Sequence, residues 1–172
     1  MRGRYRSRRS SWSGLSSLFI ALALAAAAWS FLKPSGRLLE GQAHATDGDT
    51  IRIGENRLRL MGIDAPELRQ TCVRAGRPYS CGETAREVLI GMIQRGQVQC
   101  RSSGRDRYKR LLVRCTADGR DINAAMVEEG WAVSYGRDYE TEEARARRRS
   151  AGLWAGEFDR PQDWRRQNTR AN

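Results

Sequence analysis

The chain has 172 residues, enough for one globular domain with an N-terminal extension, and its 40% hydrophobic content excludes wholesale disorder. A formal net charge of +11 favours polyanionic partners such as nucleic acid or anionic lipid. Residues 1–37 hold seven Arg or Lys and no acid, while 24 basic and 20 acidic residues follow, so the downstream part is only mildly basic and its charge alone does not argue for nucleic acid.

The first element is N-terminal. Residues 1–13 are basic and serine-rich, and Gly14–Leu32 follow with 19 uncharged residues, close to the roughly 20 that a helix needs to cross a bilayer core. Trp29 suits the interface, and Lys33-Pro34 stops the helix. Arg2, Arg4, Arg6, Arg8 and Arg9 orient the N-terminus to the cytoplasm and the rest to the extracytoplasmic side. Ala23–Ala28 also offers small-residue cleavage positions, so a removed signal peptide is the alternative; either reading exports the domain. The expected organisation is a basic region at 1–13, an anchor or signal at 14–32, a linker at 33–40 and a globular domain at 41–172.

From Gly41 to Met61 the pattern predicts three short antiparallel strands: Ala43 alternating with Ala45, then Thr50–Ile53, then Leu58–Met61. Asp47-Gly48 and Gly54-Glu55-Asn56 are the turns between them. A polar loop runs from Leu68 to Gly82. Glu83–Arg95 has helical spacing, with Ala85, Val88, Leu89 and Met92 on one face and Gly96 closing it. Gln97–Arg101 and Leu111–Thr116 read as two further strands around a charged connection, Ser102–Arg110. Asp121 caps a second helix, Ile122–Glu129, which Gly130 ends. A third, Arg-rich helix is expected over about 140–150, and the tail Trp154–Trp164 is expected to pack back on the domain. Five strands with interspersed helices predict a small closed β-barrel with three α-helices, an α+β fold and not a parallel sheet.

The four cysteines, Cys72, Cys81, Cys100 and Cys115, form no Cys-x-x-Cys pair, and the lone His44 cannot complete the usual zinc spacings. Two disulfides fit an oxidising compartment. Of three possible connectivities, Cys72–Cys81 would staple one loop and Cys100–Cys115 would face each other across a hairpin.

Three segments concentrate acids and arginines near strand ends: Asp47-Gly48-Asp49-Thr50, Arg59 through Glu67, and Asp106-Arg107-Tyr108-Lys109-Arg110. Each alone reads as an ordinary turn or hairpin tip. Together they supply a mechanism. Asp49 and Asp64 are hard oxygen ligands suited to Ca²⁺, which polarises a phosphate oxygen and holds a water. Glu67 can position or deprotonate that water. Arg59 and Arg110 can clamp the phosphate as it gains charge.

In order and rough spacing these segments resemble the signature of the staphylococcal nuclease (thermonuclease) family, as do Gly130-Trp131-Ala132 and Gly152-Leu153-Trp154-Ala155; the resemblance covers about 41–152. It implies a five-stranded oligonucleotide-binding barrel with three helices. It also implies a Ca²⁺-dependent phosphodiesterase that hydrolyses DNA and RNA, single strands favoured, with little sequence selectivity and 3′-phosphate ends. Asp49, Asp64 and the Ala65 backbone carbonyl match the family's calcium ligands, with Asp47 close by. Arg59, Glu67 and Arg110 match its catalytic residues. Arg107 and Tyr108 match contacts to a second phosphate, and Tyr135 a tyrosine against which a base packs. Ala65 replaces a threonine, and Lys109 a glycine, of the family pattern. A non-catalytic binding module on the same barrel is the alternative, and no protein partner is expected.

Overall fold

The structure is a computed structural model describing residues 19–24 and 36–169. The chain divides into two units, residues 1–35 and 36–172. In the first, residues 19–24 are helical. The rest of the expected 14–32 span lies outside the described residues, among which no helix is long and apolar enough to cross a membrane.

The second unit begins with β1 (Leu38–Gly41), β2 (Ala43–Ala45), β3 (Thr50–Ile53), β4 (Asn56–Leu60) and β5 (Ile63–Asp64). A small hairpin, β6 (Cys72–Arg74) and β7 (Arg77–Tyr79), leads into helix α1 (Cys81–Ile93). Then come β8 (Val98–Arg105), β9 (Leu111–Ala117), β10 (Arg120–Asp121) and α2 (Ile122–Glu128). The chain closes with β11 (Val133–Ser134), α3 (Glu140–Arg148), a 3₁₀ turn at Gly152–Ala155 and α4 (Pro161–Thr169).

Seven strands form one sheet in the order β1-β8-β9-β4-β3-β2, with β10 on β9. Period-two patterning directs it: in β9, Leu111, Val113, Cys115 and Ala117 are buried while Leu112, Arg114 and Thr116 between them are more open. Every pairing in the sheet is antiparallel except β4 with β9, which is parallel and sets Leu58 against Leu111 and Leu60 against Val113. β1 touches β3 although three strands separate them along the path, so the sheet curls on itself. Ile51, Leu58, Leu60, Val98 and Val113 fill its inside, with Leu89 of α1 and Met126 of α2 packed in the same core. Asp121 caps α2 by accepting the Ala124 N–H at 2.9 Å.

The α+β, oligonucleotide-barrel-like character stands, with corrections in detail. The strands exceed five, and the sheet is a curled path whose ends, β1 and β2, are not paired with each other among the described residues. β1 lies within the stretch expected as linker: only Leu39 of it is buried, so four residues carry too little pattern to announce a strand. The polar loop at 68–82 contains the β6–β7 hairpin, whose turn Ala75-Gly76 takes positive φ at both positions, as a primed hairpin turn requires. A fourth helix, α4, starts at Pro161, whose fixed φ and missing N–H suit a first helical turn. Its Arg- and Gln-rich sequence gives no long apolar stripe to announce it.

Cys72–Cys81 and Cys100–Cys115 are bonded, and no free cysteine remains. Cys100 and Cys115 are direct partners in the β8–β9 ladder.

Candidate active site

Asp49 is set by the turn that joins β2 to β3. Asp47 Oδ1 accepts the Asp49 N–H at 3.0 Å, a local Asx turn. A Cβ on Gly48 would lie 2.7 Å from the Ala65 Cβ, so glycine lets this turn press against the segment that carries Asp64. Ala65 N–H donates to Asp49 Oδ2 at 3.2 Å, and the Thr50 hydroxyl donates to Asp49 Oδ1 at 3.0 Å. Asp49 and Asp64 are both buried, at 4% and 2% exposure. Asp64 sits on β5, where Val133 of β11 is its ladder partner.

Arg59 stands opposite Thr50 in the β3–β4 ladder and bridges the two aspartates. Its Nη1 donates to Asp49 Oδ1 and its Nη2 to Asp64 Oδ1, the latter at 2.9 Å. Arg110, just before β9, is oriented by Asp106, which accepts its backbone N–H at 2.9 Å and its Nε at 2.7 Å. Arg110 Nη1 then donates to Thr50 Oγ1 at 3.4 Å, so Thr50 links it to Asp49. The parallel β4–β9 pairing is what brings the Arg59 and Arg110 strands together.

Glu67 lies beyond Pro66 in a turn closed by Gln70, whose backbone N–H donates to the Glu67 carbonyl at 2.7 Å. The Gln70 side chain, fully buried, accepts the Glu67 N–H at 3.2 Å and donates to the Asp159 carbonyl at 2.7 Å. Glu67 joins the aspartates through a residue that the sequence did not single out. Arg165 of α4 donates from Nη1 to Glu67 Oε1 at 2.7 Å and to Asp64 Oδ1 at 3.1 Å, and from Nη2 to Asp64 Oδ2 at 2.9 Å. The only sequence signal for it was Pro161, which starts the helix four residues earlier. Thr50, Gln70 and Asp106 were likewise unassigned; each sits within or beside a charged segment, where a short polar side chain is available to orient its neighbours.

The electrostatics are those of crowded carboxylates. Burial pushes the Asp49 carboxyl up to about 7; the Arg59 charge opposes this, while Asp47 and Asp64 add to it. Burial works against the Arg59 charge, but Asp49 and Asp64 outweigh it and raise that guanidinium. Arg165 is likewise raised: burial disfavours its charge, and its hydrogen bonds to Asp64 and Glu67 more than compensate. Asp49, Asp64 and Glu67 meet two guanidiniums, so the ionised site keeps a surplus of negative charge to which Asp47 adds.

Every side-chain donor here is oxygen. The cysteines are all in disulfides, and His44 is exposed on β2. The set therefore fits a hard cation and no soft one. Among the described residues, however, no three Asp, Glu, His or Cys side chains converge as a ready-made metal cage. A cation would draw on Asp49, Asp64 and the Ala65 carbonyl, and complete its shell with water or phosphate.

The side chains of Arg107, Tyr108 and Tyr135 flank this network, and the Tyr108 N–H donates to Asp106 Oδ1 at 2.8 Å. Arg107 lies over the Tyr108 ring at 4.8 Å and Arg110 over the same ring at 5.6 Å, so Tyr108 flanks the site's arginine from an exposed tip. Tyr135, also exposed, donates its N–H to the Gly62 carbonyl at 2.9 Å, two residues before Asp64. Lys109 takes a left-handed φ of 64° and donates its N–H to the Asp106 carbonyl at 3.0 Å, so the tip turns without the glycine of the family pattern.

The chain is 37% identical over 121 residues to the succinoglycan biosynthesis protein ExoI of Rhizobium meliloti (strain 1021), a match covering 66% of this chain and 63% of that protein. It is 35% identical over 173 residues to protein ParB of Escherichia coli, covering 86% of this chain and 93% of that one. A micrococcal nuclease of Shigella flexneri is 35% identical over 146 residues, covering 73% of this chain and 79% of its own. Residues 57–156, more than half of the chain and a span that includes Arg59, Asp64, Glu67 and Arg110, match the family model of staphylococcal nuclease homologues, and the chain belongs to that family.

Proposed function

We propose that the protein is a calcium-dependent nuclease that hydrolyses phosphodiester bonds of DNA and RNA, leaving 3′-phosphate ends. The observation that carries this reading is the unbroken network Arg110–Thr50–Asp49–Arg59–Asp64, with Glu67 at its open end. A micrococcal nuclease among its relatives is consistent with it.

Bound Ca²⁺ at Asp49, Asp64 and the Ala65 carbonyl would supply charge neutralisation at a phosphate oxygen and an ordered water. The chain's own residues do the rest. Glu67, half-exposed, accepts the proton of the attacking water as its oxygen bonds to phosphorus and the P–O5′ bond breaks, the 5′-oxygen taking a proton from solvent. Arg59 and Arg110 donate to the non-bridging phosphate oxygens as charge builds on them. Asp106 and Thr50 hold Arg110 in the orientation for that contact, and the Ala65 N–H fixes one oxygen of Asp49. Arg107 and Tyr108 at the tip suit a neighbouring phosphate, and Tyr135 a base, which favours single strands with accessible faces.

The two disulfides and the N-terminal sequence support an extracytoplasmic location, anchored or secreted. The test is hydrolysis of single-stranded DNA by the oxidised 172-residue chain with Ca²⁺ or EDTA. Cleavage should vanish with EDTA and fall by roughly 10²–10⁴ in Glu67→Gln and roughly 10²–10³ in Arg110→Ala. Folded protein that binds DNA yet leaves it intact with Ca²⁺ would make it a binding module instead.

A further inference from the structure

Arg165 takes no part in the mechanism above, yet it lies inside the site. Its guanidinium contacts both oxygens of Asp64 and one of Glu67. Asp64 Oδ1 already accepts Arg59 Nη2 at 2.9 Å, so three donors crowd one buried carboxylate. A carboxylate offers about four lone-pair positions. Three are taken, two on Oδ1 and one on Oδ2, so a cation that coordinates Asp64 at the remaining Oδ2 position meets both guanidiniums at close range and is repelled by them. The two arginines are not equally able to leave. Each is held by two carboxylates, but Arg59 is 19% exposed on a central strand of the sheet, whereas Arg165 is 36% exposed and reaches in from α4.

The placement of Arg165 is built into the fold. Gln70 joins the Glu67 turn to the Asp159 carbonyl, two residues before α4 begins. Val73 and Glu157 exchange backbone hydrogen bonds at 2.9 and 2.8 Å. Cys72, Cys81 and Leu153 form a small buried cluster against Trp131 and Phe158 beneath the same segment. These contacts fix the approach to α4 and so place Arg165 beside the carboxylates.

We propose that Arg165 is an intramolecular competitor for the divalent cation, holding Asp64 and Glu67 until the cation takes Asp64 and so setting the calcium concentration at which the site loads. The inference rests on the cation reading above. Displaced from Asp64, the guanidinium swings toward solvent or bound phosphate, and Glu67 is released for its work as base.

The experiment is calorimetric titration of CaCl₂ into the oxidised 172-residue chain without nucleic acid, comparing wild type with Arg165→Gln and Arg165→Lys. Losing charge-assisted hydrogen bonds of this kind should tighten calcium binding about tenfold in Arg165→Gln. Lysine, a point charge that cannot fork across two carboxylates, should give an intermediate affinity. Circular dichroism checks the fold, and Arg165→Lys alone decides the matter if the glutamine variant does not fold. Wild-type binding with equal or weaker affinity in the folded variants overturns the competitor and leaves the cation reading standing. Absence of calcium binding in wild type and variants alike overturns both.

Discussion

Lys109 and Asp49 show how single positions carry strain and charge. Lys109 holds a left-handed φ of 64° that glycine adopts freely. Lys109→Gly should therefore stabilise the fold by about 0.5–1 kcal/mol, read as a raised urea midpoint with unchanged slope. Activity at saturating substrate should change little, since Asp106, not Lys109, orients Arg110. Asp49 predicts a pH dependence. In the folded chain burial pushes its carboxyl up to about 7 from an ordinary value of 3.8. The folded state thus keeps a proton that the unfolded chain releases near 3.8, so this contribution to stability is full below that pH and disappears as pH rises through about 7. In EDTA, wild-type Tm should fall relative to Asp49→Asn between pH 4 and 7. Parallel Tm curves for the two proteins would show that Asp49 is ionised throughout.

The loop from Glu67 to Cys81 is where an element, and not a residue, governs the site. Gln70 and the Cys72–Cys81 bridge fix it at both ends. Gln70→Leu leaves the Glu67 N–H and the Asp159 carbonyl without their partner, at a cost of about 1–3 kcal/mol for each group that stays buried. It should lower kcat as well as Tm, because the same amide positions Glu67. Replacing Cys72 and Cys81 by serine should cost about 2–3 kcal/mol under non-reducing conditions. Unchanged stability and activity in that double variant would mean that the bridge does not restrain the loop.

These elements also mark what was legible beforehand. Thr50–Ile53, α1 and the β8–β9 hairpin were readable because alternation or helical spacing persists long enough to give a period. The partnership of Cys100 with Cys115 followed from that hairpin. β1 and α4 were not readable: one offers a single buried residue, and the other docks through polar contacts that leave no apolar stripe. The charged set Asp49, Arg59, Asp64, Glu67 and Arg110 could be named from its three clustered segments. Arg165 could not, because 98 residues separate it from Glu67 and only the fold joins them.

For the molecule as a whole, charge sets how substrate is held. The folded part is only mildly basic, so binding should depend on a few placed arginines and not on a diffuse field. With Arg59, Arg107 and Arg110 on phosphates, the logarithm of single-strand affinity should fall with that of salt concentration with a slope of about −2. A slope steeper than about −5 would mean that the Arg-rich α3 and the N-terminal region carry binding instead.

The parallel pairing of β4 with β9 has a consequence for folding. It joins segments about fifty residues apart, and such non-local contacts form slowly because a long loop must close before they are rewarded. Arg59 and Arg110 meet only once that step is complete. A partly folded chain, however much helix it has gained, has no assembled arginine pair and no chemistry. Refolding followed by activity should therefore lag behind refolding followed by circular dichroism.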